Sequence, residues 1–156
     1  MLESCYVFEV SDPTESQYIL LAEDNPADVA LVREALEDRE LAYNLKVVSD
    51  GEQAMELINR IDRDSSLLSP KLMLLDLHLP KRDGEEILRC LRSSERCGRT
   101  PVVILTSSDA PRHMEMATRN AALHYFRKPT NLEMYMKLGD VVRDIVETNH
   151  PDTDPS

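Results

Sequence analysis

The stretch Lys71-Leu-Met-Leu-Leu-Asp-Leu-His-Leu-Pro-Lys-Arg-Asp-Gly84 decides the fold. Residues 71–75 form a continuous apolar run rather than an alternating one, the pattern of a strand covered on both faces of a parallel sheet. The run ends in Asp76, and Pro80 to Gly84 supply the break that follows. Far upstream a second such run, Tyr18-Ile-Leu-Leu-Ala22, ends in Glu23-Asp24. As neighbouring parallel strands, the two runs bring three carboxylates to one edge of a sheet. Such an edge holds a divalent cation and leaves one carboxylate free to react.

Outward from these runs, short apolar stretches alternate with longer amphipathic ones. Strands are expected at Tyr18–Ala22, 45–49, 71–75, Val102–Thr106 and His124–Arg127, four of them of the buried, continuous type. Helices are expected at 27–39, 52–60, 84–94, 111–121 and 132–147. Asn25-Pro26 offers a cap and a proline for the first helical position. Asp50 and Asp83 can cap the next two helices, Asp109-Ala-Pro111 repeats the cap-and-proline start, and Asn131 precedes the last. That last helix carries a wide apolar stripe from Leu132 to Val146, part of it expected to cover the sheet and part to meet a partner. Five βα units predict an α/β fold with an open, doubly wound parallel sheet. Residues 1–17 read as an N-terminal extension with a short strand over 5–10, 18–148 as the domain, and 149–156 as a frayed tail. Residues 62–70 form a polar loop before the third strand, an insertion of no evident purpose.

A chain of 156 residues suffices for one domain with a proper core. Hydrophobic residues make up 42% and charged residues 30%, the balance of a soluble globular protein. No apolar run has the length of a membrane span, and the N-terminus lacks the pattern of a signal peptide, so a cytoplasmic protein is expected. A formal charge of −11 excludes a wide nucleic-acid footprint, which needs a basic face. Cys5, Cys90 and Cys97 match no metal-binding spacing and read as free thiols.

In an open parallel sheet, ligands bind beyond the carboxyl ends of the strands. Glu23-Asp24, Asp76, Thr106-Ser107-Ser108 and Lys128-Pro129 all fall there. Two unit charges about 4 Å apart repel by roughly 4 kcal/mol at an effective dielectric near 20. Three grouped carboxylates therefore raise one another's pKa or recruit a cation, and hard oxygen ligands suit Mg²⁺. Glu23-Asp24 alone would read as charge complementing a helix N-terminus; Asp76 at the matching position favours the metal. Lys128 can pair with Asp76 at rest and with an added phosphoryl oxygen later, although a surface lysine is the commoner case. Thr106 can donate to that same oxygen or simply favour the strand. Tyr125 reads equally as a core ring or as one that swings outward.

At these residues the chain resembles the response-regulator receiver domain of two-component signalling. The resemblance rests on Leu20-Leu-Ala-Glu-Asp-Asn-Pro-Ala-Asp28, Leu74-Leu-Asp-Leu-His-Leu-Pro-Lys-Arg-Asp-Gly84, Pro101-Val-Val-Ile-Leu-Thr-Ser107 and Tyr125-Phe-Arg-Lys-Pro129, in register over roughly 18–148. The Asn-Pro-Ala-Asp turn, the Leu-Pro-Lys-x-Asp-Gly segment and the 62–70 insertion look most like the cyanobacterial phytochrome response regulators. The resemblance implies a flavodoxin-like (βα)5 fold with strand order 2-1-3-4-5. It implies Asp76 as phosphoacceptor, with Mg²⁺ held by Glu23, Asp24, Asp76 and the backbone carbonyl of His78. Thr106 and Lys128 would contact the phosphoryl group, and Tyr125 would be the coupled switch. His78 and Ser108 stand where the family varies its self-dephosphorylation rate. Two departures are visible. Ala121-Ala122 replaces the family's Gly-Ala, so Ala121 carries strain if that position needs a positive φ. His78 replaces a small polar residue or methionine.

The expected function is a single-domain response regulator, not an enzyme beyond its own phosphoryl chemistry. A sensor histidine kinase, of phytochrome type, would phosphorylate it, and it would signal through protein contact. Dimerisation through the last helix is one form that contact could take. Three alternatives stand beside this. A receiver-like scaffold would never be phosphorylated. A haloacid-dehalogenase-type phosphohydrolase would want Asp-x-Asp where His78 stands. A flavodoxin-like nucleotide carrier would not place Glu23-Asp24-Asn25-Pro26 against a phosphate.

Overall fold

In a computed structural model the described residues are 17–107, 110–129 and 131–148. The short strand expected over 5–10, the tail at 149–156, Cys5, Ser108 and Asp109 lie outside them. Among the described residues ten elements alternate: β1 (Tyr18–Ala22), α1 (Pro26–Asp38), β2 (Asn44–Val48), α2 (Gly51–Arg63), β3 (Leu72–Asp76), α3 (Gly84–Ser93), β4 (Val102–Thr106), α4 (Pro111–Arg119), β5 (His124–Arg127) and α5 (Leu132–Thr148). All strand pairings are parallel, in the order β2-β1-β3-β4-β5. This is the expected doubly wound sheet. Its order reverses between β1 and β3, where Ala22 pairs with Leu75.

Successive side chains of a strand point to opposite faces, and the two cores follow from that. Leu20, Met73, Leu75 and Ile104 face α2, α3 and α4, packing on Ile58, Leu88 and Met116. Ile19, Leu21, Leu74 and Leu105 face α1 and α5, packing on Val32, Leu36, Leu138 and Val142. Three strands, β1, β3 and β4, carry the continuous burial of a doubly covered strand. Four were expected. The second run belongs instead to β2, an edge strand whose Asn44 and Lys46 are exposed while Leu45 and Val47 are half-buried. The alternation is written in the residues themselves, polar Asn44 and Lys46 against apolar Leu45 and Val47, as a half-covered edge strand allows.

The helix starts follow their caps. Asn25 Oδ1 accepts from the amides of Ala27 and Asp28 at 2.8 and 3.4 Å, and Asp50 accepts from Gln53 N at 2.8 Å. Asp83 and Glu86 form a capping box at α3. Asn131 Oδ1 accepts from Met134 N at 2.9 Å. At α4 the cap position falls on Ala110, which has no side-chain cap bond, and Pro111 opens the helix.

Helices α1 and α5 lie close enough that a Cβ on Gly139 would stand 2.6 Å from Ala35 O. Arg39 Nε donates to Asp140 Oδ1 at 2.6 Å across the same seam. The loop expected over 62–70 begins only at Asp64, because the helix expected over 52–60 runs on to Arg63, and it too has a fastening. Arg96 Nη1 donates to the carbonyls of Ile61 and Asp64 at 2.6 and 3.0 Å, and its Nη2 to that of Leu67 at 2.6 Å. Ala121 has φ 60°, so the strain expected from the missing glycine is present. Arg92 braces that turn by donating to the carbonyls of Asn120 and Ala121 at 2.9 and 3.1 Å.

Candidate functional site

Each site residue stands where a strand ends. Glu23 and Asp24 follow β1, Asp76 is the last residue of β3, Thr106 the last of β4, and Lys128 follows β5. Parallel register brings the ends level, with Ala22 opposite Leu75, Asp76 opposite Leu105, and Thr106 opposite Arg127. Glu23 N donates to Val48 O at 3.0 Å, which fixes the turn after β1. Lys128 N donates to Thr106 O at 2.8 Å, which ties the turn after β5 to the end of β4. Carboxylate oxygens of Glu23, Asp24 and Asp76 lie within 4.8 Å of one another. The three-carboxylate edge expected from the sequence is therefore assembled.

Burial differs sharply within this group. Glu23 is 1% and Asp76 4% exposed, whereas Asp24 faces solvent. Asp76 Oδ1 accepts the His78 amide at 2.9 Å, and Oδ2 accepts from Lys128 Nζ at 2.9 Å. Lys128 Nζ also stands 2.7 Å from Glu23 Oε1 and 2.9 Å from Asp28 Oδ2. Its ammonium thus sits among three carboxylates, which raises its pKa against the opposing effect of burial. Burial pushes the Glu23 carboxyl up to about 7, and the ion pair with Lys128 only partly opposes this.

The donor set suits a divalent cation. Glu23 Oε1 is ion-paired to Lys128 by distance, but the approach is poorly aligned, and the atom is a buried oxygen with no well-formed hydrogen bond. A buried carboxylate left so, with an exposed carboxylate beside it and a strand-end carboxylate opposite, matches the all-oxygen, partly hydrated coordination that Mg²⁺ and Mn²⁺ accept.

Thr106 is fully buried at the end of β4. Tyr125 is half-buried on the face shared with α2, α3 and α4. His78 is exposed, its ring edge-on to that of His113 in α4 with centroids 5.5 Å apart. Beside them a groove of about 310 Å³ opens between the start of α3 and α4, lined by residues that include Leu77, Gly84, His113 and Met116.

Two residues of the site went unassigned in the sequence. Asp28, in the first turn of α1, is the third carboxylate on Lys128. Tyr135, 2% exposed in α5, donates its hydroxyl to Asp28 Oδ1 at 3.1 Å. An acid in a first helical turn ordinarily reads as dipole complement, and a tyrosine in an apolar stripe as packing. Asp24 precedes the α1 cap Asn25, so no helical spacing in the sequence ties Asp28 to the acidic edge.

The chain is 36% identical over 132 residues to the probable methanogenesis regulatory protein FilR2 of Methanothrix harundinacea, covering 85% of this chain and 83% of that one. It is 40% identical over 90 residues to the response regulator Rcp1 of Synechocystis sp., covering 58% of this chain but 61% of Rcp1. Among solved structures, the phosphorylated cyanobacterial phytochrome response regulator RcpA superposes with a TM-score of 0.76 at 31% identity. The Mn²⁺-bound form of Rcp1 superposes at 0.74, also at 31% identity. Each comparison covers 90% of this chain and 99% of the other. Residues 19–138 match the response regulator receiver domain. With that match spanning the sheet and every strand-end group of the acidic edge, the chain belongs to the response regulator receiver domain family.

Proposed function

We propose that this protein is phosphorylated on Asp76 by a sensor histidine kinase and signals through contact with another protein. The observation that carries the reading is the placement of Asp76. It is nearly buried, stands at the end of a central strand, and lies between an acidic pair on one side and Lys128 on the other. In the reaction the phosphorus–nitrogen bond of a phosphohistidine breaks and a bond from phosphorus to an Asp76 carboxylate oxygen forms. The departing imidazole keeps the electron pair and is protonated.

Glu23, Asp24, Asp76 and the His78 carbonyl would hold Mg²⁺, which neutralises charge on the transferring phosphoryl group when bound. The need is larger than three carboxylates suggest, because Asp28 makes a fourth against the single charge of Lys128. Lys128 and the Thr106 hydroxyl would bind phosphoryl oxygens, and an acyl phosphate of about −1.5 to −2 charge would draw both inward. Tyr125, paired in register with Ile104 two residues before the end of β4, would follow that movement and alter the faces of α4 and α5.

The likeness to the cyanobacterial phytochrome response regulator RcpA supports a kinase of phytochrome type, and the Mn²⁺-bound form of Rcp1 supports a divalent cation of the Mg²⁺ kind at this edge. The exposed Leu132 and Met134 of α5, each 43% exposed, support an output through protein contact, a homodimer included. A receiver-like scaffold that is never phosphorylated is the second reading.

The decisive measurement is intact mass after incubation with acetyl phosphate and Mg²⁺. A gain of one phosphoryl group is expected in the wild type and none in Asp76→Asn. No gain in the wild type would leave the scaffold reading.

A further inference from the structure

We propose that Asp50 and Gly51, at the start of α2, are positioning residues that hold the loop after β3 rigid and thereby make the acidic edge prefer Mg²⁺ to Ca²⁺. This deepens the cation reading above and rests on it, with the His78 carbonyl as a ligand.

The loop is strained. Lys81 has φ 75°, in the left-handed region that a lysine seldom enters. Arg82 N donates to Pro80 O at 2.9 Å across it, which closes a γ-turn of the rare, strained hand. Such a turn persists only where its surroundings over-determine it. Here the start of α2 does so. Gly51 N donates to the same Pro80 carbonyl at 3.0 Å. Gly51 also lies so close to the turn that a Cβ on it would stand 2.5 Å from Arg82 Cβ and 2.7 Å from Arg82 O. Asp50 Oδ2 faces Lys81 Nζ at 3.6 Å, while its Oδ1 caps α2.

His78 is thereby held from both sides. Its amide donates to Asp76 Oδ1 at 2.9 Å, and two residues on, the Pro80 carbonyl is pinned to Gly51. Leu77 and Leu79, 5% and 8% exposed, flank it and sink into the core shared with Ala54 and Ile58 of α2. The His78 carbonyl therefore has little freedom to move toward or away from the edge. Rigidity at a ligand separates the two ions. Mg²⁺ demands near-octahedral oxygens at about 2.0–2.1 Å, whereas Ca²⁺ accepts about six to eight at about 2.3–2.6 Å in flexible arrangements. A carbonyl already in place need not be ordered when Mg²⁺ arrives. A loose one must be, and Ca²⁺ escapes most of that cost because its shell tolerates displacement.

The test uses the full chain as wild type, Gly51→Ala, Lys81→Gly and Gly139→Ala at pH 8.5. Mg²⁺ and Ca²⁺ are each titrated against bound Mn²⁺, whose release appears as the EPR signal of the free ion. Gly51→Ala is expected to weaken Mg²⁺ by about tenfold and Ca²⁺ by less than about twofold. Lys81→Gly relieves the strain but loosens the turn, so its Mg²⁺ preference should fall by about threefold or more. Gly139→Ala is the control for lost stability, since its Cβ would stand 2.6 Å from Ala35 O in the α1–α5 seam, away from the loop. Its preference should match the wild type. A ratio of Mg²⁺ to Ca²⁺ affinity within about twofold of the wild type in either Gly51→Ala or Lys81→Gly, or an equal fall in Gly139→Ala, overturns the role of α2 and leaves the cation reading standing. If Gly51→Ala does not fold, Lys81→Gly decides on the same terms. A wild type that binds no Mn²⁺ overturns both.

Discussion

Lys128 Nζ lies 2.7 Å from Glu23 Oε1, yet the Glu23 carboxyl is held up to about 7 because burial outweighs that pairing. The consequence is a pH-linked metal site. A cation needs the ionised carboxylate, so below about pH 7 binding must first expel a proton. Apparent Mg²⁺ affinity is expected to fall by up to tenfold per pH unit from 7 down toward 5, and to level off above 8. Titration calorimetry in buffers of different ionisation enthalpy checks this directly: proton release should approach one per cation at pH 6 and vanish by pH 8.5. An affinity flat between pH 6 and 8 would place the Glu23 pKa at its ordinary value.

The same group makes the metal-free protein behave unusually toward pH. Its folded pKa lies above the unfolded value, so between about 4.5 and 7 the native state holds the extra proton. Stability from this group is therefore lost as pH rises through that window, by about 2–3 kcal/mol. Glu23→Gln should remove the slope. Urea midpoints of wild type and variant, measured from pH 5 to 8 with a chelator present, should converge at the acid end and diverge at the alkaline end.

Ala121 occupies the left-handed region at φ 60°, and Arg92 braces the carbonyls of the turn. An alanine there pays strain that a glycine would not. Ala121→Gly is expected to stabilise the fold by about 0.5–1 kcal/mol after the added chain entropy of glycine is counted. Thermal melting should rise by a few degrees with phosphorylation of Asp76 unaltered.

The strain at Ala121 was visible in advance only because a glycine was expected in that place, and other features divide on similar physical lines. Central strands β1, β3 and β4 announce themselves, because burial on both faces leaves no room for polar alternation. The edge strand β2 is quieter: Asn44 and Lys46 alternate with Leu45 and Val47 over too short a run to stand out. Glu23, Asp24, Asp76, Thr106 and Lys128 could be grouped because strand ends in a parallel sheet converge by topology alone. Asp28 and Tyr135 could not, because which helical residue reaches the sheet edge depends on how α1 and α5 rotate when they pack. Arg96 is the same case: one arginine among many in sequence, it turns out to tie the start of the 64–70 loop to the end of α2.

That fastening is testable. Arg96→Ala leaves the carbonyls of Ile61, Asp64 and Leu67 without their charged donor, at an expected cost of about 2 kcal/mol. Amide exchange should rise across residues 64–70 and remain unchanged at the acidic edge. Uniform destabilisation without a local rise in exchange would mean that the loop holds its shape by packing alone.

Among the described residues, Lys128 is the cation that Glu23, Asp28 and Asp76 share. Replacing it by methionine keeps the length of the stem and removes the charge. Without metal, the buried carboxylates then repel one another unscreened, and unfolding should become easier by about 3 kcal/mol. With metal the sign reverses. A site more negative by one charge should bind Mg²⁺ several-fold tighter, and the cation should restore most of the lost stability. Melting temperatures of Lys128→Met across a Mg²⁺ series give both numbers at once. Weaker cation binding than in the wild type would show that Lys128 orders the carboxylates for the metal instead of competing with it.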